Sequence, residues 1–168
     1  MKEVRDFLRW VETEVRRVEG IIEKREAAYS RIPSGALVSM EVLEAVIAAN
    51  EVIYTNALRR ERQKILERVK GKAKELAEKY RARVEIQTYL EYDHFFKKSE
   101  GPRITRVSIR IPLVQNPNWD SENVQFREYV LNLETNEYYE HEFLNTTQWN
   151  YRKAEWKKPF NEKHIVIV

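Results

Sequence analysis

Apolar residues recur at helical spacing along the first 30 residues of the chain. They lie alternately four and three residues apart, which places them on one stripe of a helix. The stripe consists of Val4, Leu8, Val11, Val15, Val18 and Ile22. The pattern predicts a helix from about Lys2 to Tyr29. Pro33 and Gly35 follow and predict that the helix ends before them.

A second helical pattern begins near Ser39, whose residue type caps helix N-termini, and keeps its phase to about Arg81. At 1.5 Å per residue it spans about 65 Å, whereas the first helix spans about 40 Å. Two antiparallel helices of these lengths leave about 20–25 Å of apolar stripe uncovered. We therefore expect a break near Asn50 to Asn56 or at Gly71, or cover from the sheet or from a second subunit.

From Arg83 onward the apolar spacing changes to two, which is typical of half-buried strands. The predicted strands are Val84–Leu90, Ile104–Ile111, Phe126–Leu133, Tyr138–Leu144 and Ile165–Val168. The fold class is therefore α+β, with an N-terminal long helical hairpin followed by an antiparallel β-sheet of four or five strands. We assign residues 1–82 to the hairpin and 83–168 to the sheet, within one folded unit.

Composition narrows the class of protein. The 168 residues contain no Cys, which excludes a disulfide scaffold and any Cys-ligated zinc or iron–sulfur site. The chain has no apolar run of membrane-spanning length and no secretory signal, so we expect no membrane association and an intracellular, cytoplasmic location. Charged residues make up 34% of the chain and there are only four Gly, a composition that leans towards a thermophile.

Positive charge is concentrated between Arg59 and Arg83, where eleven basic residues stand against four Glu. A helix of that density presents a basic face that suits a phosphate backbone. The predicted nucleic-acid contacts in this helix are Arg59, Arg60, Arg62, Lys64, Arg68, Lys70, Lys72 and Lys74. The alternative is a solvated helix held by i,i+4 ion pairs, or one that lines a dimer.

A second cluster, in residues 149–160, interleaves aromatic and basic side chains. Single-stranded nucleic acid is held by such combinations, with bases stacked on rings and phosphates on cations. The predicted contacts here are Trp149, Tyr151, Arg152, Lys153, Trp156 and Lys157. The alternative is an aromatic-capped edge of the core. Trp119 lies in a polar loop and is either folded back onto the protein or offered to a ligand.

The sequence contains few patterns that are typical of catalytic sites. His94, His141 and His164 are far apart in the sequence, and on a strand His141 points away from both glutamates that flank it. The four Gly are isolated, so there is no Gly-rich phosphate loop. We expect no catalytic residue, no metal and no cofactor. The third alternative is a metal-dependent hydrolase that uses Asp93 and His94.

The sequence thus predicts a non-enzymatic nucleic-acid-binding protein that prefers single strands and forms a homo-oligomer, most simply a dimer, through its helices. Sequence-specific readout is not expected, because the chain contains no helix-turn-helix, zinc-finger or RNP pattern. The alternative is a structural or assembly protein, of viral or mobile-element type, that self-associates through its helices and has no catalytic activity.

Overall fold

The computed structural model of the chain describes residues 1–30, 39–92, 99–121, 124–143 and 163–168. Helices come first and strands follow, which confirms the α+β class. The helical elements are α1 (Lys2–Ser30), α2 (Met40–Asn50), a π-helix (Glu51–Thr55) and α3 (Asn56–Tyr80). The strands are β1 (Arg83–Tyr92), β2 (Ser99–Pro112), β3 (Phe126–Asn132), β4 (Glu137–Phe143) and β5 (Lys163–Ile167).

The strands form one antiparallel sheet in the order β4-β3-β2-β1-β5. β2, β3 and β4 follow one another as a meander, and β5 pairs with the free edge of β1. β2 begins at Ser99, five residues before the predicted start at Ile104, and ends at Pro112, which has no N–H to continue the ladder. The β2–β3 and β3–β4 pairings are regular, whereas the β1–β2 pairing shifts its register between Gln87 and Thr88 and between Leu90 and Tyr92. The regular pairings fix which side chains of β2, β3 and β4 share a face of the sheet.

The core lies between the helices and one face of the sheet. The predicted stripe of α1 points into it: its first five members are buried and Ile22 is half-buried. The sheet contributes the alternate residues of its strands. Buried core residues from α3 and the sheet include Leu58, Ile65, Val69, Leu76, Val84, Ile86, Val107, Ile109 and Tyr129.

The second helical stretch changes its hydrogen-bonding pattern where a break was predicted. Residues 51–55 form a π-helix instead of a break, and α3 then continues through Gly71 to Tyr80. A π-helix accommodates an extra residue in its turn, so it shifts the phase of the apolar face along the helix that follows. Its neighbourhood buries polar side chains, because Asn50, Glu51 and Thr55 are all below 8% exposed.

Gly101 allows β2 to lie directly against α3. Its φ is +88°, a left-handed value that favours glycine. A Cβ at this position would lie 3.0 Å from Arg59 Cα and 3.1 Å from Arg59 O. The contact is thus backbone against backbone, and it fixes the first turn of α3 over the sheet.

Candidate nucleic-acid interface

Four cations on the solvent side of α3 form a row that we call the basic ridge. They follow one another at intervals of four residues, so they lie on one face of the helix. The ridge consists of Arg60, Lys64, Arg68 and Lys72. From the first to the last, it is about 18 Å long.

The ridge cations are accessible although three of them have partners. The side chains of Lys64 and Arg68 are 68% and 54% exposed. Lys64 Nζ lies 3.5 Å from Glu61 Oε1, and Arg68 Nη1 lies 3.3 Å from Glu14 Oε2. Exposed pairs of this kind contribute between zero and about 1 kcal/mol each, so they do not prevent a phosphate from competing for the cation. In the described part of the chain, no ion pair or side-chain hydrogen bond holds Arg60.

An aromatic residue from α1 lies at the end of the basic ridge. Lys72 Nζ is 3.7 Å from the ring centroid of Trp10, and Arg68 Cζ is 5.3 Å from it. The ring is half-buried and packs on Phe7, with 6.1 Å between centroids. Sequence reasoning missed Trp10, because its cationic neighbours are about 60 residues away along the chain. The only local signal is its place beside the apolar stripe, three residues after Phe7.

Arg62 does not belong to the accessible surface, which corrects its inclusion among the predicted contacts. Its side chain is 2% exposed, and its Nη2 lies 2.9 Å from Glu19 Oε2. Its Nη1 also lies 3.9 Å from Glu100 Oε2, and Arg25 pairs with the same buried carboxylate. Arg62 therefore joins α1, α3 and β2 in a buried ionic cluster beside the π-helix.

The remaining predicted contacts of α3 are divided between other faces. Arg59 is half-buried and donates to Asn56 Oδ1 at 3.0 Å, beside the backbone contact with Gly101. Lys70 Nζ lies 3.5 Å from Glu67 Oε1 and is about one-third exposed. Lys74 is exposed, and it lies two residues beyond the ridge, off the i,i+4 row.

Lys79, near the end of α3, contacts the start of α1. Its Nζ donates to Glu3 Oε2 at 2.8 Å, and the Tyr80 hydroxyl donates to the same oxygen. These bonds, that of Lys79 first, lower the pKa of the Glu3 carboxyl. Lys79 is therefore paired with Glu3, at the far end of the helix from Arg60.

The second predicted cluster lies outside the described residues. This applies to Trp149, Tyr151, Arg152, Lys153, Trp156 and Lys157, which stay a prediction. Trp119 is described and is folded back: its Nε1 donates to Arg81 O at 3.2 Å, and its ring packs on Phe126.

The described histidine side chain, His141, faces away from its flanking glutamates, as expected for a strand. Its Nε2 lies 3.3 Å from Oε1 of Glu128, which is fully buried and also accepts from Arg110. Asp93 and His94 lie outside the described residues. Within the described ranges, no group of three or more His, Asp or Glu side chains could hold a metal ion.

No helix in the described part of the chain is long and apolar enough to cross a membrane. The chain matches no protein-family model, and no curated protein or solved structure is significantly similar to it.

Proposed function

We propose that this protein binds nucleic acid through the basic ridge, without catalysing a reaction and without reading base sequence. The observation that carries the proposal is the row Arg60, Lys64, Arg68 and Lys72, which ends at the ring of Trp10. Successive ridge cations are about 6 Å apart along the helix axis, so a flexible strand can place phosphates against several of them.

Counterion release supplies the driving force in this proposal. α3 carries nine basic and four acidic residues, so it keeps an excess of positive charge after its own ion pairs are formed. Phosphates that replace the weak surface pairs release the cations condensed on the nucleic acid. A strand that meets all four ridge cations loses about 50-fold in affinity between 50 and 200 mM salt.

Trp10 gives the proposed site its preference for single strands. Cations beside an aromatic ring are the arrangement that holds unpaired bases, and a base that takes the place of Lys72 on the half-buried ring contributes about 1–3 kcal/mol. A duplex keeps its bases stacked on one another, so it gains only the phosphate contacts. The aromatic and basic residues of 149–157 remain in the proposal as a second stacking surface.

The proposal includes the helical hairpin and an intracellular location. Contacts between α1 and α3 support the hairpin, because Glu3 meets Lys79 and Glu19 meets Arg62, so rising numbers in one helix meet falling numbers in the other. This arrangement brings Trp10 of α1 beside the ridge.

Fluorescence anisotropy of labelled single-stranded and duplex oligonucleotides tests the proposal. We expect salt-sensitive binding that favours the single strand, and a Trp10→Leu substitution that removes the preference and keeps the binding to duplex. Leu retains most of the apolar contact with Phe7 and removes the stacking surface. Absence of binding at low salt, for both oligonucleotides, would refute the proposal.

A second candidate function is self-assembly, and exposed apolar residues in α2 and the π-helix favour it. Val42, Val46, Val52 and Ile53 are between 36% and 66% exposed. An apolar face of this kind on a helix is typical of an interaction surface.

A further inference from the structure

We propose that α2 and the π-helix pair with the same segment of a second copy of the chain, antiparallel and about a two-fold axis beside Ala49. The inference deepens the assembly candidate, and it does not depend on nucleic-acid binding. It rests on two apolar stripes of one helix and on the distribution of charge at the two ends of the exposed stripe.

The inner stripe of the segment is at least partly covered by the chain itself. Leu43, Ile47 and Tyr54 are half-buried, and Asn50 between them is 7% exposed. The spacing of Leu43, Ile47 and Asn50 places them on one side of α2, and Tyr54 follows in the π-helix.

The outer stripe consists of the residues that immediately precede those of the inner stripe, and it is exposed. It consists of Val42, Val46, Ala49 and Ile53, with the same spacing of four, three and four. Val42 and Ile53 are 54% and 58% exposed. The members in α2 share one face of the helix, and Ile53 follows in the π-helix, which shifts the phase of that face. An exposed apolar stripe of this kind suits one half of a helix pair.

Charge selects both the partner and its direction. The exposed charges of the segment 40–55 are Glu41 and Glu44, near its N-terminal end, since Glu51 is only 4% exposed. The exposed cation Arg60 lies in the first turns of α3, beyond the C-terminal end of the segment. The exposed stripe is therefore acidic at its N-terminal end and basic at its C-terminal end. Only an antiparallel copy places opposite charges together at both ends, since a parallel copy opposes like charges.

The register follows from centring the pair on Ala49. Val46 then lies level with Val52 of the partner subunit, next to the partner subunit's Ile53, and Glu41 comes within one helical turn of the partner subunit's Arg60. Ala48 and Ala49 are small, so the two backbones can approach closely at the axis. The contact is isologous and closes after two copies, so it makes a dimer rather than a filament.

Size-exclusion chromatography with light scattering, on the full chain without nucleic acid, measures the dimer. The stripe from Val42 to Ile53 is only about 17 Å long, so we expect a dimer that dissociates on dilution. Val46→Glu and Ile53→Glu should each give a monomer at every concentration. Val114→Glu is the matched control, because Val114 is an exposed valine outside the helices, and it should leave the dimer intact.

Charge exchange tests the direction of the pair. Glu41→Arg and Arg60→Glu should each weaken the dimer at least several-fold, and the double substitution should restore it. A double variant that is weaker than both single variants contradicts the antiparallel arrangement.

Cross-linking tests the position of the axis. The chain has no native Cys, so only the introduced thiol can form a disulfide. Under mild oxidation Ala49→Cys should form a disulfide with its own copy. Met40→Cys alone should not, because its counterpart lies about 28 Å away along the pair. A protein that is monomeric at all concentrations, or a dimer that survives Val46→Glu and Ile53→Glu, overturns the inference. The double variant Lys64→Gln/Lys72→Gln should dimerise normally. Its dimerisation therefore tests this inference separately from the nucleic-acid binding of the basic ridge.

Discussion

Arg110 Nε donates a 2.8 Å hydrogen bond to Oε2 of Glu128, a carboxylate with no solvent-exposed surface, on the neighbouring strand. The two residues stand directly opposite each other in register, with Arg83 and His141 continuing the same row on β1 and β4. A slip of either strand by one residue would move one of these charges to the other face. The pair therefore selects the register of the centre of the sheet.

Glu128→Gln should destabilise the protein by about 3 kcal/mol, because it removes the fully buried carboxylate that is nearest to the Arg110 guanidinium. The 3.4 Å contact between Arg110 and Glu85 remains. Urea unfolding followed by circular dichroism measures the loss. Glu142→Gln is the control: Glu142 pairs with Arg127 at 3.4 Å with about half of each side chain exposed. Its effect should stay within about 0.5 kcal/mol. Equal effects of the two substitutions would show that burial does not decide the contribution of these pairs.

Gly101→Ala should lower the free energy of unfolding by about 1–3 kcal/mol. The new Cβ needs a left-handed backbone and lies 3.0 Å from the backbone of Arg59. Gly71→Ala is the opposite case, since no atom lies within 4 Å of a Cβ there and the residue is inside α3. It should stabilise the protein by about 0.5–1 kcal/mol. Chemical denaturation of both variants measures these changes. Destabilisation by Gly71→Ala would contradict the helical conformation of residue 71.

Arg62→Ala and Lys64→Ala should have different effects, although the two residues are neighbours in the basic segment. The first leaves the carboxylates of Glu19 and Glu100 without this cation in a buried cluster, and should cost about 3–5 kcal/mol of stability. The second removes an exposed pair and should change stability by less than about 0.5 kcal/mol. Thermal unfolding of the two variants measures the difference, and similar melting temperatures would place Arg62 on the surface.

The pH dependence of stability should report on Glu140. Hydrogen bonds from Arg5 and then from Tyr138 lower the pKa of the Glu140 carboxyl to about 2. The folded-state pKa is below that of the unfolded chain, so the stabilisation is complete above about pH 4.3 and is lost as pH falls towards 2. Urea titrations from pH 7 to pH 2 should therefore show Glu140→Gln less stable than the parent at pH 7, with the difference vanishing at the acid end. A difference that stays constant with pH would contradict the assignment.

The helices and strands could be predicted because their apolar periodicities are long and regular. The stripe from Val4 to Val18 is buried as a helix of that period requires, and the second helical stretch runs from Met40 to Tyr80, close to the predicted limits. The mismatch of helix lengths predicted a break near Asn50 to Asn56 as one of several alternatives, and a π-helix instead of a break lies in that interval.

The candidate site could be predicted only in part, because a charge count does not distinguish the faces of a helix. Arg62 is four residues from Leu58 and three from Ile65, so its spacing already places it on the buried stripe. Trp10 could not be found in this way, since its proximity to Lys72 depends on how two distant helices pack. Sequence can rank the cations of α3, but the aromatic partner needs the tertiary structure.

The salt dependence of single-strand binding tests the central claim, that the basic ridge holds phosphates. For the parent protein we expect the logarithm of affinity to fall with the logarithm of salt concentration at a slope of about 3. Lys64→Gln/Lys72→Gln should reduce the slope to about half, since two of four phosphate contacts are lost. Arg9→Gln removes a cation of α1 that is outside the ridge and even more exposed, at 79%, and should keep the parent slope. A slope that is the same in all three proteins, or binding that does not depend on salt, would contradict the proposed interface.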